Sequence, residues 1–230
     1  MMTTPPAGSD TPPSRPHRPH RPPVPPVTLA IMVTCVGIYI AERLWSEIQR
    51  ALIFAPWLGE SEPYRFIGSA FLHADFWHIA FNMYALYLVG QMLEPTLGRW
   101  RYLSLYLLSA IGGNAAVLVL ADPSGQSYYD FVVGASGAVF GLFAAIFVLY
   151  SKFGGDVLPI TILLGANLAI GFIVEGISWQ SHVGGMIVGG ILTWCYTFAR
   201  GRKHRTGIHV LFTIGVAVAL AGLIVLTYAT

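Results

Sequence analysis

Four residues in this 230-residue chain have the types and spacing for acyl-transfer chemistry: His78, Asn82, Ser136 and His182. Ser136 stands in the string Gly134-Ala135-Ser136-Gly137, and His182 opens the string His182-Val183-Gly184-Gly185-Met186-Ile187-Val188-Gly189-Gly190. A serine hydroxyl is a weak nucleophile until a base accepts its proton, and an imidazole titrates in the range that suits the task. His78 and Asn82 are four residues apart, on one face if the segment is helical, and both can donate to a developing oxyanion. The Ser136 backbone N–H is a third donor if a helix begins there. No Asp or Glu lies close to His182 in sequence, Glu175 being the nearest, so a Ser–His dyad is expected rather than a triad.

Each residue alone has a plainer reading. A serine in a glycine-rich span is usually a packing residue, and short strings specify function loosely. Buried histidines also line ion pathways in transporters, and an intramembrane asparagine holds helices together. What favours catalysis is the combination at one membrane depth, which depends on the elements that carry it.

Those elements are apolar. Hydrophobic residues make up 55% of the chain and charged residues only 10%, against about a quarter in soluble domains. A bilayer span needs about 20 mostly apolar residues. Seven stretches qualify: 27–44, 77–93, 101–121, 136–150, 157–175, 182–199 and 208–229. The first and fourth are short, and the fourth is extended here by its glycine-rich entry, 132–135. With the N-terminus cytoplasmic, that side receives Arg15, Arg18, Arg21, Arg99, Arg101, Lys152, Arg200, Arg202, Lys203 and Arg205, and the outer side only Arg43, Arg50 and Arg65. That distribution follows the positive-inside rule and puts the C-terminus outside. The second, fourth and sixth spans then all run inward, so His78, Ser136 and His182 converge near the outer face. Gly137 and Gly141 on one span, and Gly185 and Gly189 on another, give the small-x-x-x-small spacing that lets two helices approach closely.

Residues 1–26 form a polar, proline-rich tail with Arg15, His17, Arg18, His20 and Arg21, expected to be a disordered, solvated, topogenic segment rather than a signal peptide. Contact of this arm with anionic lipid headgroups is the alternative. Cys35 and Cys195 lie inside apolar stretches and point to neither a disulfide nor a metal site. No cofactor, metal or nucleic acid is implied.

Together these residues resemble the rhomboid family of intramembrane serine proteases over about residues 27–200. The matching elements are His78-x-x-x-Asn82, Gly134-x-Ser136-Gly137, His182-x-x-Gly185-x-x-x-Gly189, and the stretch Tyr64-Arg65 through Phe71-Leu72-His73; Glu94 also resembles a family position. The resemblance implies an all-α, polytopic membrane helix bundle with a six-span core (27–200), joined by a basic loop to a seventh span (201–230). It implies Ser136 as nucleophile, His182 as general base, and His78, Asn82 and the Ser136 amide around the oxyanion. Gly134, Gly137, Phe140, Gly185, Gly189 and His73 support them. Implied substrates are single-span membrane proteins, entering between the second and fifth spans; Gly165, Asn167 and Gly171 suit a mobile fifth span and ordinary packing equally. The site is expected to open to the outer side of the cell membrane. Two positions depart from the family pattern: Tyr64 stands where Trp is usual, and Phe140 where Tyr is common, its ring placed to stack on His182. The loop from 45 to 76, with Trp45, Phe54, Trp57, Tyr64 and Phe66, is expected to lie partly in the interface and shield the site; Pro56, Gly59 and Pro63 break it. A catalytically silent membrane-protein binder on the same scaffold, and a transporter using the histidines, are the competing readings.

Overall fold

The computed structural model describes residues 24–174, 176–199, 201 and 204–230. The basic arm up to residue 23, Glu175, Arg200, Arg202 and Lys203 lie outside the described residues. Seven long helices occupy the seven apolar stretches: α1 (Pro26–Leu44), α5 (Phe76–Leu97), α6 (Arg99–Leu120), α7 (Ser136–Phe153), α8 (Leu158–Ile173), α9 (Trp179–Phe198) and α10 (Arg205–Ala229). Three short helices, α2 (Ser46–Leu52), α3 (Pro56–Gly59) and α4 (Arg65–Gly68), fill the loop between α1 and α5, followed by a 3₁₀ turn at Ser69–Phe71. The chain is an all-α polytopic membrane bundle.

Taken one at a time, α1, α6, α7 and α10 are long and apolar enough to cross a bilayer. The helices α5 and α9 have the length, but polar residues such as His78, Asn82, Glu94, Gln180 and His182 dilute their hydropathy. At 16 residues, α8 is short, about 24 Å at 1.5 Å per residue. The outward faces carry large exposed apolar side chains, among them Phe81, Ile162, Ile173, Leu211 and Leu226. In a membrane protein these meet lipid rather than water.

Some boundaries differ from the sequence reading. The glycine-rich entry 132–135 does not extend α7, because Gly134 has φ +121°, outside helical backbone. Val132 instead forms an isolated antiparallel bridge with Phe54. The sixth span starts three residues before His182, at Trp179, where the Ser178 hydroxyl accepts the Ser181 N–H at 3.3 Å as an N-cap. The second span runs on through Pro95 to Leu97.

The centre of the bundle is α6, α7 and α9, and α7 meets α9 backbone to backbone. A Cβ added at Gly185 would run into the Gly137 carbonyl, and one at Gly189 into the Gly141 carbonyl. These backbones touch, as membrane helices with small residues at the contact can. On the flank, Glu94 of α5 binds the start of α1. Its Oε1 accepts the Val27 N–H at 3.0 Å, and its Oε2 accepts the Thr28 N–H and hydroxyl, both at 2.8 Å. A carboxylate there satisfies orphan amides and complements the positive helix end.

Candidate active site

Ser136 is the first residue of α7, and no side chain caps that helix, so its first-turn N–H groups face outward from the helix end. His182 lies in the first turn of α9 and is buried. The close approach of α7 and α9 brings His182 Nε2 to 3.0 Å from Ser136 Oγ. With the ring proton on Nδ1, Nε2 accepts the serine proton. His182 Nδ1 has no hydrogen-bond partner among the described residues, and a Cβ at Gly171 of α8 would stand 3.5 Å from it. No acidic side chain among the described residues orients the ring. Its plane is held instead by Phe140, stacked with ring centroids 4.0 Å apart and planes 9° from parallel.

His78 reaches this site from α5, and Asn82 lies one turn further along the same helix, buried. Asp75 caps that helix by accepting the His78 N–H at 2.9 Å, which holds the Asp75 carboxyl below the usual carboxylate range. Asn82 Nδ2 donates to the His78 carbonyl at 2.9 Å, using one of its two N–H bonds. The His78 ring lies over Gly134: its Cε1 and Nε2 are each 2.7 Å from where a Gly134 Cβ would be, with Ser136 Oγ 3.8 Å from the same point. Gly134 therefore meets two demands, a positive φ and an imidazole against its Cα. His73 packs edge-on against His78, with centroids 5.2 Å apart. Burial pushes its pKa down to about 4, helped by the His78 charge and opposed by a backbone contact with Phe71.

The loop before α5 fixes the segment that carries Ser136. The Gly134 N–H donates to the Ser69 carbonyl at 2.9 Å. Asn114 of α6 donates to Ser69 Oγ at 2.8 Å and to the Phe66 carbonyl at 3.0 Å. Upstream, buried Arg65 donates from Nη1 to the Arg50 and Ile53 carbonyls, each at 2.7 Å, and pairs with Glu62. Hydrogen bonds from Tyr64 and then Arg65 hold the Glu62 carboxyl low. Of the loop aromatics, Trp45, Trp57 and Tyr64 are exposed, while Phe54 and Phe66 pack together in the core at 4.5 Å.

Three supporting residues escaped the sequence reading. Asn114, a polar residue in mid-span, carried a usable signal. Ser69 and Ser181 carried none: a serine near glycines reads as packing, and the partners lie far off in sequence. Buried Ser181 fills the gap between α6 and α7, where Cβ atoms at Gly113 and Gly137 would lie 2.6 and 2.7 Å from its hydroxyl.

A rhomboid-domain family model matches residues 60–199, which include His73, His78, Asn82, Gly134, Ser136, Phe140 and His182. Among curated proteins, the chain is 28% identical over 191 residues to RHOMBOID-like protein 5 of Arabidopsis thaliana, covering 72% of this chain and 60% of that protein. It is 28% identical to Rhomboid protein 1, mitochondrial, of Saccharomyces cerevisiae, over 77% of this chain and 54% of that protein. It is 35% identical over 141 residues to Rhomboid protease GluP of Bacillus subtilis, over 57% of this chain and 26% of that protein. The chain thus spans from a quarter to three fifths of the length of these relatives. With the family match extending over more than half of the sequence, the chain belongs to the rhomboid family.

Proposed function

We propose that this protein is an intramembrane serine endopeptidase that cleaves single-span membrane proteins in or near their transmembrane segment, using Ser136 and His182 as a dyad. The observation that carries the reading is the 3.0 Å contact between Ser136 Oγ and His182 Nε2 at the ends of two interlocked helices. Membership of a family with relatives named as proteases, one of them a rhomboid-type serine protease, supports it.

In this mechanism His182 Nε2 takes the Ser136 proton as Oγ attacks the scissile carbonyl carbon. The oxyanion receives N–H donors from Ser136, His78 and the uncommitted N–H of Asn82. The His182 imidazolium then protonates the leaving amine, and the C–N bond breaks to leave an acyl-Ser136. A water gives its proton to His182 and attacks the ester, and Ser136 is released as the alcohol. Phe140 keeps the ring in plane while its charge changes.

A substrate helix must unwind before its carbonyl is reachable. Gly and Pro, disfavoured by about 1 and 3 kcal/mol relative to Ala in a helix interior, ease that step. Entry lies beside α8, which buries only Ile160 and Gly171 and so holds few packing contacts to lose. In the cell membrane the N-terminus is cytoplasmic, the C-terminus extracytoplasmic, and the site opens outward.

The test is cleavage of a single-span fusion by purified wild type, Ser136→Ala and His182→Ala, with covalent labelling by a serine-reactive phosphonate. Both variants are expected to be inactive, and label is expected on Ser136 of the wild type. Cleavage that persists in Ser136→Ala overturns the assignment.

A further inference from the structure

The end of the bundle opposite Ser136 holds a cavity of about 360 Å³, where the C-terminal ends of α5, α7 and α9 meet the starts of α6 and α10. That volume lies in the usual range of ligand sites, roughly 300–1,000 Å³. Its polar lining is basic: Arg101 from α6, and Arg205 and His209 from α10. No carboxylate lines it, and neither arginine forms an ion pair among the described residues. The nearest acid in sequence, Glu94, is engaged on the first turn of α1.

The cavity is built rather than incidental. Arg101 is partly buried and fixed at three points: Nη1 donates to the Leu97 carbonyl at 2.9 Å, Nε donates to His209 Nδ1 at 2.6 Å, and the guanidinium lies over the Trp100 ring at 4.6 Å. His209 is buried and spends its other nitrogen, Nε2, on the Tyr196 carbonyl at 2.9 Å. These bonds leave Arg101 Nη2 as a pre-positioned donor. No side chain caps α6 or α10 at this end, so two positive helix ends add to the same field. Leu97, Leu149 and Phe153 supply an apolar wall.

A partly buried guanidinium, Arg101, beside the exposed Arg205 and with no carboxylate in the lining, gains from an anion that joins them at a membrane end. We propose that this cavity binds a phosphate-bearing anion, with Arg101 and Arg205 as its ligands. The basic lining next to an apolar wall, at the level where headgroups lie, fits the phosphodiester of an anionic phospholipid, and basic pockets between spans are known to hold such headgroups. A free phosphate ester shares the chemistry. The inference is independent of whether Ser136 is catalytic.

The experiment is native mass spectrometry of the delipidated full chain titrated with phosphatidylglycerol or phosphatidylcholine, with inorganic phosphate tested separately by thermal unfolding. Wild type is expected to prefer phosphatidylglycerol, and Arg205→Gln to weaken that binding about tenfold, as loss of one charge-assisted contact implies. Arg101→Gln should act alike; because it also frees His209, exposed Arg205 is the decisive site if that variant fails to fold. Arg99→Gln removes equal charge from the same end, outside the cavity, and should bind as wild type. Phosphate stabilisation that depends on Arg205, without a lipid preference, assigns the site to a soluble anion. Equal retention of both lipids with no phosphate effect overturns the proposal, as does an equal loss in Arg99→Gln.

Discussion

Phe140 and His73 both act on the site through a neighbouring imidazole. Phe140 stacks on the His182 ring, whose Nδ1 has no hydrogen-bond partner among the described residues, so stacking is what sets the ring plane there. An aromatic pair is worth about 0.5–1.5 kcal/mol beyond its burial, so Phe140→Ala should lower kcat roughly two- to tenfold. KM should be unchanged and Phe140→Tyr close to wild type, as steady-state cleavage kinetics will show. His73 gives a pH dependence. Its pKa is about 4 in the fold against 6.5 unperturbed, so the unfolded chain binds the proton first as pH falls. Stability is therefore full above about pH 6.5 and declines toward pH 4, at up to about 1.4 kcal/mol per unit. Unfolding in detergent between those values should show a shallower slope in His73→Gln; equal slopes would remove His73 as the source. The sequence singled out Ser136 and His182, which the structure brings to 3.0 Å, because reactive side chains are conspicuous in an apolar chain. Ser69 and Asn114 show where legibility stops: their bond joins positions 45 residues apart, and nothing local in either segment marks the other.

At the scale of elements, composition located seven spans, and the structure has a helix in each. Glycine spacing pointed to close helix faces, and the contacts Gly185 on Gly137 and Gly189 on Gly141 are of that kind. Boundaries were less readable. The span read from the sequence began at His182 and left Trp179, Gln180 and Ser181 outside it, yet the Ser178 cap makes them the first turn of α9. Conversely, residues 132–135 were added to lengthen a short fourth span, but Gly134 turns the chain away. Since the glycine seam is backbone on backbone, a methyl group has no flexible neighbour to displace. Gly185→Ala is expected to cost about 1–3 kcal/mol by overpacking. Gly165→Ala on α8 meets nothing within 4 Å and should be neutral or stabilising by up to about 1 kcal/mol. Thermal unfolding of the pair separates seam packing from helix propensity. Glu94→Gln removes the charge from the α1 cap and should cost about 1–2 kcal/mol in the same assay.

Across the whole molecule, the chain returns several times to the loop between α1 and α5. That loop bonds to the segment before Ser136 at Phe54 and Ser69, to α6 through Asn114, and to the far end of the chain through Tyr228, whose hydroxyl donates to the Pro56 carbonyl at 2.6 Å. Tyr228→Phe should lower stability by about 0.5–1.5 kcal/mol. Amide exchange should rise at residues 54–60, leaving Ser136 labelling intact; exchange unchanged there would show that the contact does not restrain the loop. The helix that carries Tyr228 buries only His209 and Leu220 along its 25 residues. Lipid wets the rest of α10 as readily as protein does, so little apolar force presses it to the bundle. It is riveted near one end by His209 and at the other by Tyr228. A strut pinned at both ends cannot tilt freely as the bilayer thickens or thins. Strain from mismatch must pass into the bundle as a whole, or one rivet must open.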